Sequence, residues 1–143
     1  MLILGIDPGI ATTGYGLVES IGQELTAVEY GVIETRAELS LPERLQMLYR
    51  NLREVIGRGR PQVAAIEELF FSRNARTAMI VGHARGVALL AAAEGGLSVF
   101  EYTPLEVKGA VAGYGRASKG QMQDMTRLLL KLDSVPRPDD AAD

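Results

Sequence analysis

The sequence predicts an α/β fold, a mixed sheet flanked by helices, and three observations carry the prediction. Two short apolar runs, Ile3-Leu4-Gly5-Ile6 and Val63-Ala64-Ala65-Ile66, have the composition of buried strands, and each ends in a carboxylate, Asp7 and Glu67. Between them, residues 12–19 and 25–35 are rich in Thr, Tyr, Val and Ile and are separated by Gly22, the pattern of an antiparallel hairpin. Further along, apolar residues recur at helical spacing behind clear helix starts, so strands and helices alternate.

The elements follow in order. The N-terminal run reads as a strand buried on both faces, closed by Asp7-Pro8-Gly9. Asp7 can open that turn, since Asp, Pro and Gly suit successive turn positions. The second carboxylate at a strand end offers another reading. In open α/β sheets, sites lie beyond the carboxyl ends of strands, so two such strands side by side bring Asp7 and Glu67 together. Ser40-Leu41-Pro42-Glu43 is a helix start with a capping box, and Leu45, Leu48, Tyr49, Leu52, Val55 and Ile56 give the helix one apolar face, with Gly57 and Gly59 expected to end it. After the strand at 63–67, Leu69-Phe70-Phe71-Ser72-Arg73 is a loop with two aromatics beside arginines. Asn74 caps a long helix to about residue 94, stopped by Gly95-Gly96. Its apolar perimeter exceeds what one sheet contact needs, so it is either a central core helix or the interface of a homodimer, with Gly86 and the many Ala residues permitting close approach. Residues 98–102 form a strand, and Thr103-Pro104-Leu105-Glu106 opens a short helix. A loop over 113–117 follows. Ser118 with Gln121 then starts a helix whose stripe is Met122, Met125, Leu128, Leu129 and Leu132, and residues 133–138 connect to Asp139-Asp140-Ala141-Ala142-Asp143.

A chain of 143 residues is large enough for one domain, 1–143, with a core of its own. The absence of Cys excludes a disulfide framework and thiolate metal sites and fits a reducing, cytoplasmic setting. No apolar run approaches about 20 residues and no signal pattern opens the chain, so neither membrane nor export is expected. The formal charge of −3 argues against indiscriminate coating of nucleic acid. The charge is unevenly placed, however. Between 72 and 120, Arg73, Arg76, Arg85, Lys108, Arg116 and Lys119 outnumber Glu94, Glu101 and Glu106, whereas 19–68 is acidic on balance. That is either a face for a polyanion or ordinary solvated charge.

Asp140 and Asp143 are three apart and share one face of a helix. With Asp7 and Glu67 they make four carboxylates with no His or Cys, a donor set for a hard cation such as Mg²⁺ or Mn²⁺. Carboxylates within about 4 to 6 Å raise one another's pKa, so a true cluster calls for a cation. Two ions about 3.5 to 4 Å apart suit phosphodiester hydrolysis. Taken singly, each acid can be a polar strand end or a helix-start residue.

These residues carry a resemblance. Gly5-Ile6-Asp7-Pro8-Gly9 with Thr13-Gly14-Tyr15-Gly16, Ala65-Ile66-Glu67, Asn74-Ala75 with Ala84-Arg85-Gly86-Val87, Val107-Lys108 with Lys119, and Asp140-Ala141-Ala142-Asp143 resemble, in order and spacing, the RuvC family of bacterial Holliday-junction resolvases. The resemblance runs the length of the chain. It implies a ribonuclease-H-like fold, a five-stranded mixed sheet flanked by helices, in a homodimer. It also implies metal-dependent cleavage of two opposed strands of four-way junction DNA, leaving 5′-phosphate and 3′-hydroxyl ends, in concert with the RuvA and RuvB branch-migration proteins. Carried over, Asp7, Glu67, Asp140 and Asp143 are the catalytic acids that bind Mg²⁺, with Mn²⁺ as a substitute and two ions per site; some members carry His in place of Asp140. Phe70 matches an aromatic that inserts among bases, a contact worth about 1 to 3 kcal/mol per base. Lys108 and Lys119 match basic residues near the scissile phosphate, and Arg73, Arg76 and Arg116 join them as DNA-binding candidates. His83 reads as a packing or surface residue.

The resemblance breaks at the end. Family members continue the last helix by a further apolar turn, and here Asp143 is the final residue. One helical turn is marginal in water. The expectation is therefore a natural chain that is longer, with Asp143 mobile in this form and the metal held weakly or by Asp7 and Glu67 alone. Three other classes stand beside the nuclease. An actin-like or Hsp70-like ATPase shares the Asp7-Pro8-Gly9 and Thr12-Thr13-Gly14 pattern but needs two lobes. A nuclease for ordinary DNA or RNA ends is the second, and a non-catalytic binding module, which leaves the four acids unexplained, is the third.

Overall fold

The computed structural model describes residues 1–69 and 74–143. Five strands, β1 (Leu2–Asp7), β2 (Thr12–Ile21), β3 (Glu24–Glu34), β4 (Val63–Glu67) and β5 (Ser98–Tyr102), form one sheet in the order β3-β2-β1-β4-β5. The β1–β2 and β2–β3 pairs are antiparallel, whereas β1–β4 and β4–β5 are parallel, so the sheet is mixed as the hairpin reading requires. Parallel pairing of β1 with β4 sets Ile6 beside Ile66, so the next residues, Asp7 and Glu67, leave the sheet at the same edge.

The helices are α1 (Leu41–Gly59), α2 (Ala75–Glu94), α3 (Pro104–Ala112), α4 (Lys119–Leu129) and α5 (Asp139–Ala142). Ser40, Thr103 and Ser118 each accept from the backbone N–H three residues on, and Glu43, Glu106 and Gln121 reach back, so all three expected capping boxes form. Asn74 accepts from the N–H groups of Arg76 and Thr77 at the start of α2. Among the described residues no helix is long and apolar enough to cross a membrane.

One face of the sheet carries the core. Leu4, Ile6, Leu17, Ala64 and Ile66 are buried against Leu48, Leu52, Val55 and Ile56 of α1 and against Ala84, Ala88, Ala91 and Ala92 of α2. Small residues on α2 let α1 lie close, and this accounts for only part of its apolar perimeter. Met79 and Leu90, with His83 and Gly86 between them, form an exposed stripe at helical spacing.

Three local expectations need correction. The first strand is fully buried on one face only; Ile3 and Gly5 are half-exposed. Its other face opens with Met1, Val63, Ala65, Phe100 and Tyr102 into a shallow apolar hollow that the short helices do not cover. Gly57 does not stop α1; the helix ends at Gly59, the second expected stop, and closes at Arg60 in the left-handed conformation, its N–H bonded to the Ile56 carbonyl at 2.9 Å. Burial of Val55 and Ile56 outweighs the weak helix propensity of those glycines. The expected α4 stripe is only partly used: Met122 is buried, but Leu128 and Leu129 face solvent because the helix ends there and the chain reverses at Lys131, whose φ is 54°.

Candidate active site

The turn after β1 is tied from two sides by threonines. Thr13, fully buried, donates to the Gly9 carbonyl at 2.7 Å and accepts from the Gly9 N–H at 3.2 Å. Thr35 donates its hydroxyl to the Ile10 carbonyl and its own N–H to Ala11, and it accepts from Arg44 Nε at 2.9 Å. The Pro-Gly turn is thus a braced ledge, and Asp7 projects at its root on the face away from the core. On the neighbouring strand, Glu67 projects alike, and the chain just beyond it is held by the Glu68 N–H on the Tyr102 carbonyl at 2.8 Å.

The second pair of acids arrives from the other side. Pro136 is buried and its carbonyl accepts from Gln123 at 3.3 Å, which fixes the approach to α5. Lys119, at the start of α4, donates to Asp139 at 2.8 Å and ties the first residue of α5 to that helix. Asp7, Asp140 and Asp143 then each present a carboxylate oxygen, all within 4.8 Å of one another. Glu67 lies outside that set of three, but its carboxyl is near enough to that of Asp7 for each to perturb the other.

This crowding shows in the acidities. Asp7 is pushed up to about 8, by burial first and then by the negative charges of Glu67, Asp143 and Asp140. Glu67 is also raised, chiefly by burial, against its hydrogen bond from Asp7 and the charge of Lys108. Asp143 is raised by partial burial of its carboxyl, with Lys119 and Lys108 opposing. Without a cation, the adjoining carboxyls of Asp7 and Glu67 thus resist being ionised together, because burial and mutual repulsion both disfavour the doubly charged pair. Oxygen-only donors, clustered, desolvated and short of countercharge, fit hard divalent cations.

Asp143, expected at the sequence level to contribute least, is placed among the acids. It stands in the cluster with Asp7 and Asp140, and Glu67 is the acid outside the close set, reached through Asp7. Within the described residues, α5 rests backbone to backbone on β2 at Gly14. Of the basic candidates, Lys108 on α3 is half-buried and close enough to act on Glu67 and Asp143, and Lys119 is exposed on Asp139. Arg76 and Arg116 are exposed and make no ion pair with a described residue, whereas Arg85 is paired with Glu101 and does not add to a basic face. His83 is a surface residue. Phe70 and Arg73 lie outside the described residues.

The sequence shows Thr13 and Gly14 only as parts of a motif, without their roles in bracing the turn and seating α5, and gives no sign of the pairing of Asp139. A glycine inside a β-rich stretch was itself a signal, since it marks close approach of another backbone. No sequence pattern pairs Lys119 with Asp139, 20 residues on.

Against this geometry, the family model for crossover junction endodeoxyribonuclease RuvC matches residues 3–143. A crossover junction endodeoxyribonuclease RuvC of Desulfitobacterium hafniense is 58% identical over 143 residues, 100% of this chain and 87% of the relative. The chain belongs to the RuvC family. Another member, from Ruminiclostridium cellulolyticum, is 51% identical over the same 143 residues and 86% of its own length. The RuvC of Thermus thermophilus in complex with Holliday junction substrate superposes with a TM-score of 0.92 at 38% identity, covering 99% of this chain and 87% of that one. The yeast mitochondrial Holliday junction resolvase Ydc2 shares the fold, with a TM-score of 0.66 at 14% identity over 90% of this chain and 60% of its own. The five-stranded mixed sheet with its flanking helices is thus the ribonuclease-H-like architecture of the RuvC family.

Proposed function

We propose that this chain is a metal-dependent endonuclease that resolves four-way DNA junctions in recombination and repair, cutting two opposed strands to leave 5′-phosphate and 3′-hydroxyl ends. The observation that carries the reading is the convergence of Asp7, Asp140 and Asp143 within 4.8 Å, with Glu67 at the end of the strand paired beside Asp7, in a chain of the RuvC family. In this reading the four acids bind two Mg²⁺ ions, with Mn²⁺ able to substitute. Such ions, when bound, activate a water and stabilise the leaving oxygen in phosphodiester hydrolysis.

The chain's own residues do the positioning. Asp7 lies between the two halves of the site, near Glu67 on one side and the α5 acids on the other, so it would help hold a cation together with either half. Lys108, beside Glu67 and Asp143, holds a positive charge where the scissile phosphate must lie, and it lowers the repulsion that four acids present to a polyanion. Lys119 exchanges Asp139 for phosphate when DNA arrives. Arg73, Arg76 and Arg116 contact the backbone of the junction arms, and Phe70 stacks on bases near the crossover. Two symmetric cuts need two sites related by a two-fold axis, and the exposed stripe Met79, His83, Gly86 and Leu90 of α2 is the self-complementary surface for that homodimer. RuvA and RuvB are the expected partners in the cytoplasm. A nuclease for ordinary DNA ends is the competing reading.

The deciding experiment offers the protein an immobile four-way junction and a linear duplex of the same arms, each with Mg²⁺ or with chelator. Paired nicks in opposed strands of the junction alone, only with Mg²⁺, are expected. Equal cutting of the duplex would favour the competing reading, and cutting in chelator would remove the metal.

A further inference from the structure

We propose that Gly14 is a positioning residue for the active site: the missing side chain at this one strand position is what lets α5 seat Asp140 and Asp143 against Asp7. The consequence for catalysis rests on the nuclease reading; the placement itself does not.

The β1–β2 register puts Gly14 directly opposite Asp7 on the same face of the sheet. A β-carbon at Gly14 would overlap the carbonyl oxygen of Asp140, lie 2.8 Å from its carbonyl carbon, and stand 3.6 Å from the Ala141 nitrogen. All three are backbone atoms, so no side chain can swing aside. The glycine is not there for a left-handed backbone, which among the described glycines occurs at Gly22, Gly96 and Gly113 and not at Gly14. Space is the reason.

The strain of a substitution falls on α5 because β2 cannot yield. It is an inner strand, hydrogen-bonded to β1 on one side and β3 on the other. By contrast α5 is a four-residue helix held by the Lys119–Asp139 pair and the bonded turn at Pro136. Two residues on, the same face supplies its own control. Gly16 stands opposite Gly5, and a β-carbon there would meet only Tyr30 Cβ at 3.8 Å and the Glu29 oxygen at 4.0 Å, ordinary contacts.

The test compares Gly14→Ala with Gly16→Ala in the whole protein, reading amide exchange over residues 139–143, Mn²⁺ affinity by calorimetry, and junction binding and cleavage. For Gly14→Ala we expect faster exchange in that segment alone, Mn²⁺ binding weakened about ten- to a hundredfold, and kcat reduced at least as much, with junction Kd unchanged. Gly16→Ala should match the parent throughout. Parent-like exchange and Mn²⁺ affinity in Gly14→Ala would overturn the proposal. So would global unfolding of Gly14→Ala by circular dichroism, since the clash would then not be taken up by α5. A parent protein that binds Mn²⁺ but cuts no junction would reject the nuclease reading and leave exchange and metal affinity to decide the role of Gly14.

Discussion

The two halves of the acidic cluster are built differently. Asp7 and Glu67 sit at adjacent ends of parallel strands whose preceding residues, Ile6 and Ile66, are buried in the core, so their positions follow from sheet hydrogen bonding and side-chain packing together. Asp140 and Asp143 come from one turn of helix that rests on a glycine and is tied by an exposed ion pair. The strand half is held by pairing on both sides of β1 and is desolvated, so Asp7 carries the large pKa shift. The helix half is more open, and its placement depends on contacts formed late in the chain. A site of this kind can be damaged through chemistry on one side and through geometry on the other.

The largest expected effect breaks the chemistry. Asp7→Asn removes the carboxylate between both halves, and junction cleavage should fall by more than about a hundredfold while junction binding, which rests on phosphate contacts, is kept. Loss of binding in step with cleavage would contradict this. Glu67→Gln should behave the same way. Glu68→Gln should cut normally, because neighbouring strand residues face opposite sides, and an inactive Glu68→Gln would move the site to the other face.

Next in size is the pH response of the metal-free protein, where the strand half should dominate. The folded pKa of Asp7, about 8, lies above its ordinary 3.8, so the native state holds the proton more tightly than the unfolded chain. That contribution is fully present below about pH 4 and is lost as pH rises toward 8; Glu67 and Asp143, both raised, act in the same direction. In chelator the melting temperature should therefore fall across this window. Saturating Mg²⁺ should restore it, and Asp7→Asn should flatten the profile. A metal-free profile that rises instead would mean the acids are not packed together.

The smallest effect concerns the helix half. Asp139→Asn cuts the tie to Lys119, but both groups are exposed, so the melting temperature should stay within error of the parent. Junction affinity at low salt should rise slightly, because Lys119 is released and one anion is removed beside the DNA path. Weaker binding would show that the pair orders Lys119 rather than holding it back.

Most of the fold was legible because its signals are local. Three capping boxes, the hairpin around Gly22 and the apolar runs before Asp7 and Glu67 act over a few residues, where propensity and pattern are strong. Pairing Asp7 with Glu67 was also legible, since both end strands of the same kind and sheets place sites at such ends. The spacing of Asp140 and Asp143 put them on one face of one turn. Chain pattern could not decide what that turn rests on. The seat at Gly14, the tie from Lys119 to Asp139, and the exclusion of Glu67 from the close set of three depend on atoms far apart in sequence that approach to a few ångströms only after the sheet has formed. The acids themselves were written in the sequence, because a carboxylate's chemistry belongs to its residue type. Their acidities and their distances were decided by the tertiary structure, because burial, repulsion and backbone clearance exist only between parts of the chain that folding brings together.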